Sequence, residues 1–171
     1  LDVSACTKLD CIDAGNCENL ETVTVPDSIK ALYIYNSSVK SVDVSKCTSL
    51  ETLSAFNAKL TSLDVSKNTS LKELNISDNN IAFIDLKGLK ALGTFEADNN
   101  SYAISLTEDN KFDLSTLLDV SKFTLDDGQD VTLKDGVLTV DDGVSEITYT
   151  YDTGLDGKTF NGLAVKSCIV C

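Results

Sequence analysis

The chain has 171 residues, a formal net charge of −13 and an apolar fraction of 42%; its 14 basic residues are all lysine, and histidine, methionine and tryptophan are missing. Without histidine the commonest general base and zinc ligand are gone, so no Ser-His-Asp or Cys-His arrangement can be assembled. An acidic surface without arginine offers no basic face for nucleic acid or for an anionic membrane. No stretch reaches the roughly 18 consecutive apolar residues of a membrane span, and no membrane insertion is expected. The apolar fraction suits one domain, with room for a small appendage. The opening at Leu1, with no basic start or apolar run, reads as the interior of a longer polypeptide.

From the first residue the chain repeats itself. Leu1-Asp2-Val3-Ser4 returns as Val42-Asp43-Val44-Ser45, Leu63-Asp64-Val65-Ser66 and Ile84-Asp85-Leu86-Lys87, the last three 21 residues apart. A second phrase, L-x-x-L-x-L-x-x-N, starts at Leu9, Ile29, Leu50, Leu71 and Leu92, with spacings of 20, 21, 21 and 21. Its eighth position after each start holds Cys17, Ser37, Ala58, Asn79 and Asn100, and this position favours Asn and Cys. The pattern is a leucine-rich repeat of about five units over residues 1–105. The L-x-L alternation puts every second residue inward on a short strand. One coil cannot bury its own apolar face, so parallel stacking on neighbours is required. About ten residues remain for each return path, so an extended or brief 3-10 convex side is expected. Pro26 and Asp27 make the second unit irregular.

From Leu106 the period breaks, and residues 106–171 read as a small β-rich region that closes the end of the stack. Asp135-Gly136, between "VTLK" and "VLTV", signals a hairpin. Ile147, Tyr149 and Tyr151 alternate with Thr148 and Thr150, as in a half-exposed strand. Asp126-Asp127-Gly128-Gln129-Asp130 resembles part of a calcium loop, but its twelfth position is Val137 rather than Glu. No metal site or cofactor is expected.

The stretch "LTSLDVSKNTSLKELNISDNN" (residues 60–80) resembles the repeats of bacterial surface leucine-rich-repeat proteins of the internalin-like kind, with 21-residue units and occasional Cys at ladder positions. The segments "FDLSTLLDVSKFTL" and "GVLTVDDGVSEITYTYD" are more loosely similar to the β region that follows such repeats. The resemblance implies an exported, non-enzymatic adhesion or recognition module at the cell surface or outside the cell, and it implies no activity. Residues 1–171 hold about five units and no phrase that reads as the N-terminal cap or the sorting signal expected of that kind.

Solenoids recognise ligands with the outward residues of their strands. Here these place Tyr33 and Tyr35 beside Ser54 and Phe56, with Glu73, Asn75, Glu96 and Asp98 as an acidic flank. Three solvent-facing rings on the concave strand face would anchor a protein ligand, host or cell-surface, with a hydrophobic knob and a basic rim. Glycan binding by the same rings and a spacer role are the alternatives, and the rings could also simply pack on each other. A flat strand face offers no cleft for a catalytic carboxylate pair.

Cys6 and Cys47 share one repeat position with Asn68 and Leu89, and two units separate them by about 10 Å, too far for a disulfide. They and Cys17 read as small buried residues, while Cys11 is expected outward and reactive. Cys168 and Cys171 form a C-x-x-C that reads as a local bridge or two free thiols.

Overall fold

The computed structural model describes residues 1–166; Cys168 and Cys171, and the reading placed on them, lie outside the described residues. Five three-residue strands stack in sequence order into one parallel sheet: β1 (Cys11–Asp13), β2 (Ala31–Tyr33), β3 (Thr52–Ser54), β4 (Glu73–Asn75) and β5 (Thr94–Glu96). The register runs Ile12, Leu32, Leu53, Leu74, Phe95 without a slip. This is the leucine-rich-repeat solenoid that the spacing predicts. Between these strands the return paths are extended, with paired turns and no helix.

The interior follows from the alternation. Leu32, Leu53 and Leu74 are essentially sealed from solvent, each worth about 1.5–3 kcal/mol of burial. Two residues on, the inward position holds Ala14, Ile34, Ala55, Ile76 and Ala97, all buried. Small and large side chains therefore alternate along the stack, as close packing between coils requires.

Each strand is followed by a corner whose first N–H groups, those of Asn16, Asn36, Asn57 and Asp78, still reach a carbonyl of the next coil, but whose later amides lose the sheet's partners. Residues Asn16, Asn36, Asn57, Asp78 and Asn99 turn it with a positive φ between 49° and 59°, a conformation that Asn and Asp tolerate better than other side chains. Beneath the corner, buried asparagines stand in for the missing backbone partners. The Asn79 side-chain oxygen accepts from the N–H groups of Ala58 (3.2 Å) and Leu60 (2.8 Å), and its amide donates to the carbonyls of Ala55, Ile76 and Ser77. Asn100 repeats this one coil later, accepting from Ile81 and donating to Ile76 and Ala97. On the return path, Asn68 donates to the carbonyls of Val44 and Cys47, but its buried Oδ1 has no partner.

Beyond the fifth coil the chain builds two antiparallel-rich sheets. One is ordered β7 (Lys111–Asp113), β10 (Val137–Val140), β9 (Val131–Lys134). The Asp135-Gly136 hairpin is present, and both residues have positive φ (51° and 83°) as a primed turn demands. The other sheet is ordered β6 (Asn100–Ile104), β12 (Lys158–Lys166), β11 (Glu146–Leu155), β8 (Phe123–Leu125), with β6 and β12 parallel. In β11 the inward set is Ile147, Tyr149 and Tyr151, as the alternation predicts. Short 3-10 turns at Leu114–Thr116 and Val120–Lys122 start from Asp113 and Asp119, each accepting the N–H two residues on. The calcium-like loop has a structural role: Gln129 pairs with the backbone of Thr148 through both its oxygen and its nitrogen.

Tyr149 ties this region to the coils. Its ring lies across Gly162 of β12, where a Cβ would fall 2.2 Å from ring carbon Cζ, and its hydroxyl donates to the Ala82 carbonyl. Leu86 N–H donates to Thr153 O at 2.8 Å, and Lys158 Nζ to Gly93 O at 2.7 Å.

The two kinds of buried asparagine should respond differently to mutation. Asn79→Ala strands two buried N–H groups, at about 1–3 kcal/mol each, so a loss of about 3 kcal/mol is expected in urea unfolding. Asn68→Cys removes an unpartnered oxygen, and the Val44 and Cys47 carbonyls still accept backbone N–H groups from Cys47 and Leu50. A change within about 1 kcal/mol is expected there; equal losses for the two variants would contradict this assignment.

Candidate functional site

The outward side chains of the strands and of the residues just after them form one continuous face. Tyr33 stands in register between Asp13 and Ser54, and Ser54 faces Asn75. Tyr35 and Phe56 lie just past β2 and β3, half-buried, with ring centroids 5.0 Å apart and planes 1° from parallel. The other face of Tyr35 rests on Gly15, where a Cβ would fall 2.3 Å from ring carbon Cζ. The three layers are thus backbone, Tyr35 and Phe56. The expectation that the rings face solvent and the alternative that they pack on each other meet in one arrangement, a pre-ordered stack whose rim stays accessible.

Toward the later coils the face turns acidic. Asn75 donates to Glu96 across β4 and β5, and its oxygen accepts from Ser77 N–H at 3.1 Å. Glu73, Glu96 and Asp98 are exposed. The neighbouring Glu51 is paired with Lys72 at 2.6 Å, and this hydrogen bond and charge hold its carboxyl below the usual range. The structure therefore brings Tyr33, Tyr35, Ser54 and Phe56 together, with Glu73, Asn75, Glu96 and Asp98 on the adjoining coils.

A row of amides borders the rings. Asn57 donates to Asn36 and Asn36 to Asn16, each at 2.9 Å. The row resumes where Asn99 donates to Asp78 at 3.0 Å. A shallow groove of about 380 Å³ runs beside it, lined by residues that include Asn16, Asn36, Asn57, Ser37 and Lys59. The repeat phrase carries the signal for this row, because Asn or Asp stands seven residues after every start. The signal is easily read as turn composition alone.

Two cysteine expectations need correction. Cys47 is buried, with its thiol 3.6 Å from the Pro26 carbonyl and its pKa pushed up by burial. Cys6 and Cys17 are exposed, although their repeat positions are buried in later coils. The reason is that inwardness is made by the preceding coil, and the first coil has none packed on that side. Cys11 is exposed, as expected.

A family model described as "Leucine Rich repeat" matches residues 67–93. The functional domain of InlJ from Listeria monocytogenes, described as including a cysteine ladder, superposes with a TM-score of 0.59 at 20% identity. The match covers 98% of this chain and 45% of that one. The fold is that of an internalin-like leucine-rich-repeat protein. A comparison with curated proteins finds no match. In this chain one repeat position holds Cys6, which is exposed, and then Cys47, Asn68 and Leu89, which are buried. Among the described residues no helix is long and apolar enough to cross a membrane.

The stack makes a local prediction. Gly15→Ala must push the Tyr35 ring off its seat. The near-ultraviolet circular dichroism of tyrosine is expected to weaken while the far-ultraviolet spectrum is kept. An unchanged near-ultraviolet spectrum would show that Tyr35 does not rest on Gly15.

Proposed function

We propose that the chain is a non-enzymatic recognition module that binds a protein ligand through its concave strand face, at the cell surface or outside the cell. The observation that carries this reading is the parallel stack of Tyr35 and Phe56 on Gly15, flanked by Tyr33. Ordering large side chains on binding is an entropic cost, and here two of the rings are ordered beforehand. Aromatic residues in such positions dominate interface energetics. Glu73, Glu96 and Asp98 then favour a ligand with a basic rim, which speeds encounter and sets orientation more than it adds affinity. The internalin-like fold supports an interaction or adhesion role of this kind and the extracellular placement. We also propose that residues 1–105 form the recognition part and residues 106–171 close its end.

Glycan binding is the second reading, because a sugar ring can stack on an aromatic face and the amide row of Asn16, Asn36 and Asn57 supplies donors and acceptors nearby. A purely architectural spacer is the third.

The test is the combined change of Tyr33, Tyr35 and Phe56 to Ala, assayed against host-cell extract and a glycan array. Loss of about 2 kcal/mol or more per anchor is expected at a true hot spot, so protein capture should vanish while the far-ultraviolet spectrum is kept. Loss of glycan signals alone would favour the second reading. Binding by the parent that survives the triple change would overturn the assignment of this face.

A further inference from the structure

The opposite side of the coils carries its own repeated chemistry. Asp2, Asp43, Asp64 and Asp85 occupy one repeat position, and each accepts the N–H two residues on: Ser4 at 3.0 Å, Ser45 and Ser66 at 2.9 Å, and Lys87 at 2.8 Å. These turns fix a column of carboxylates along the return paths. The residue before each is apolar: Leu1, Val42, Leu63 and Ile84. Only Ile84 is fully buried.

Ile84 is covered because the β region seats itself there, and the contacts show what this side of the solenoid accepts. Lys122 Nζ meets Asp85 at 3.0 Å. Tyr151 packs against Phe83, with ring centroids 5.2 Å apart, and Lys122 lies 5.7 Å from the Tyr151 ring centre. The docking unit is thus one cation beside one large apolar side chain, set on a carboxylate beside an apolar wall.

Beside this contact, toward the preceding coil, Ser62 stands at the position of Phe83 and leaves an opening. A groove of about 510 Å³ lies between Leu63, Phe83 and Leu117, with Asp64 and Ser66 also lining it. Leu63, Phe83 and Leu117 are each half-buried. Among the described residues no lysine stands within ion-pair distance of Asp64.

We propose that this groove is a second docking surface, on the return-path side, for a polypeptide segment that carries a large apolar side chain next to a lysine or arginine. The apolar side chain enters between Leu63, Phe83 and Leu117, and the cation sits on Asp64. The cation on Asp64 repeats, one coil earlier, what Lys122 does at Asp85, while the apolar side chain meets the side of Phe83 that lines the groove. Charge decides among occupants. A second copy of a chain with net charge −13 is repelled over most of its surface, whereas a basic segment is attracted. The surface is independent of the strand face and stands or falls separately from it.

The test uses the full chain labelled with nitrogen-15 and a blocked Lys-Phe-Lys-Leu tetrapeptide at millimolar concentration, with Glu-Phe-Glu-Leu and Lys-Gly-Lys-Gly as controls. Saturable amide shifts are expected at Leu63, Asp64, Phe83 and Leu117 with the first peptide alone. Leu63→Ser and Asp64→Asn should each weaken binding about tenfold, equivalent to the loss of one modest contact. Asp64→Asn leaves the apolar wall intact and serves if Leu63→Ser disturbs folding. No saturable shift with Lys-Phe-Lys-Leu, equal shifts with Lys-Gly-Lys-Gly, or shifts spread to remote acidic residues such as Asp141 and Asp142 would each overturn the proposal.

Discussion

Each coil of this solenoid depends on its neighbours for the partners of its own backbone. A three-residue strand satisfies only a few peptide groups, and the corner after it turns away from the sheet. The corner amides of Ala58 and Leu60 reach their acceptor in the next coil, on the buried side chain of Asn79. The amide of Ile81 does the same through Asn100. A buried N–H without a partner costs more than a made hydrogen bond returns. Stacking is therefore enforced twice, by the apolar interior and by the peptide groups.

That constraint makes the strand face a fixed platform. Because the register cannot slip, residue six after each start always lies beside residue six of the next coil. Gly15, Tyr35 and Phe56 share this position, and their stack follows from the register alone. The acidic flank on later coils is set in the same way, as is the column of carboxylates on the opposite side. Variation is free only at outward positions, so the strand face is written in residues that the interior does not need, whereas the return-path groove shares Leu63, Phe83 and Leu117 with the edge of the core.

The repeat part is legible in the sequence because its period is nearly constant and its inward residues are apolar. The hairpin at Asp135-Gly136 is legible for a related reason: few other residue pairs accept positive φ twice in succession. Other features need the third dimension. Gly15 is unremarkable until Tyr35 is found lying on it. Gly162 interrupts β12 in the same way, and its purpose is visible only with Tyr149 across it. Cys6 and Cys17 show the limit of positional reasoning, since a repeat position is buried only when another coil covers it. The pairing of β6 with β12 joins segments more than fifty residues apart, and no local pattern announces it.

Native-state hydrogen exchange tests the central dependence most directly. If the ladder asparagines hold the corners, the amides of Ala58, Leu60 and Ile81 should exchange as slowly as those bonded within the parallel sheet, such as Leu53 and Leu74. Asn79→Ala should then release Ala58 and Leu60 before it releases the strands. Corner amides that exchange in the parent as fast as exposed turns, while the strands stay protected, would show that the coils stack without them and would contradict the account.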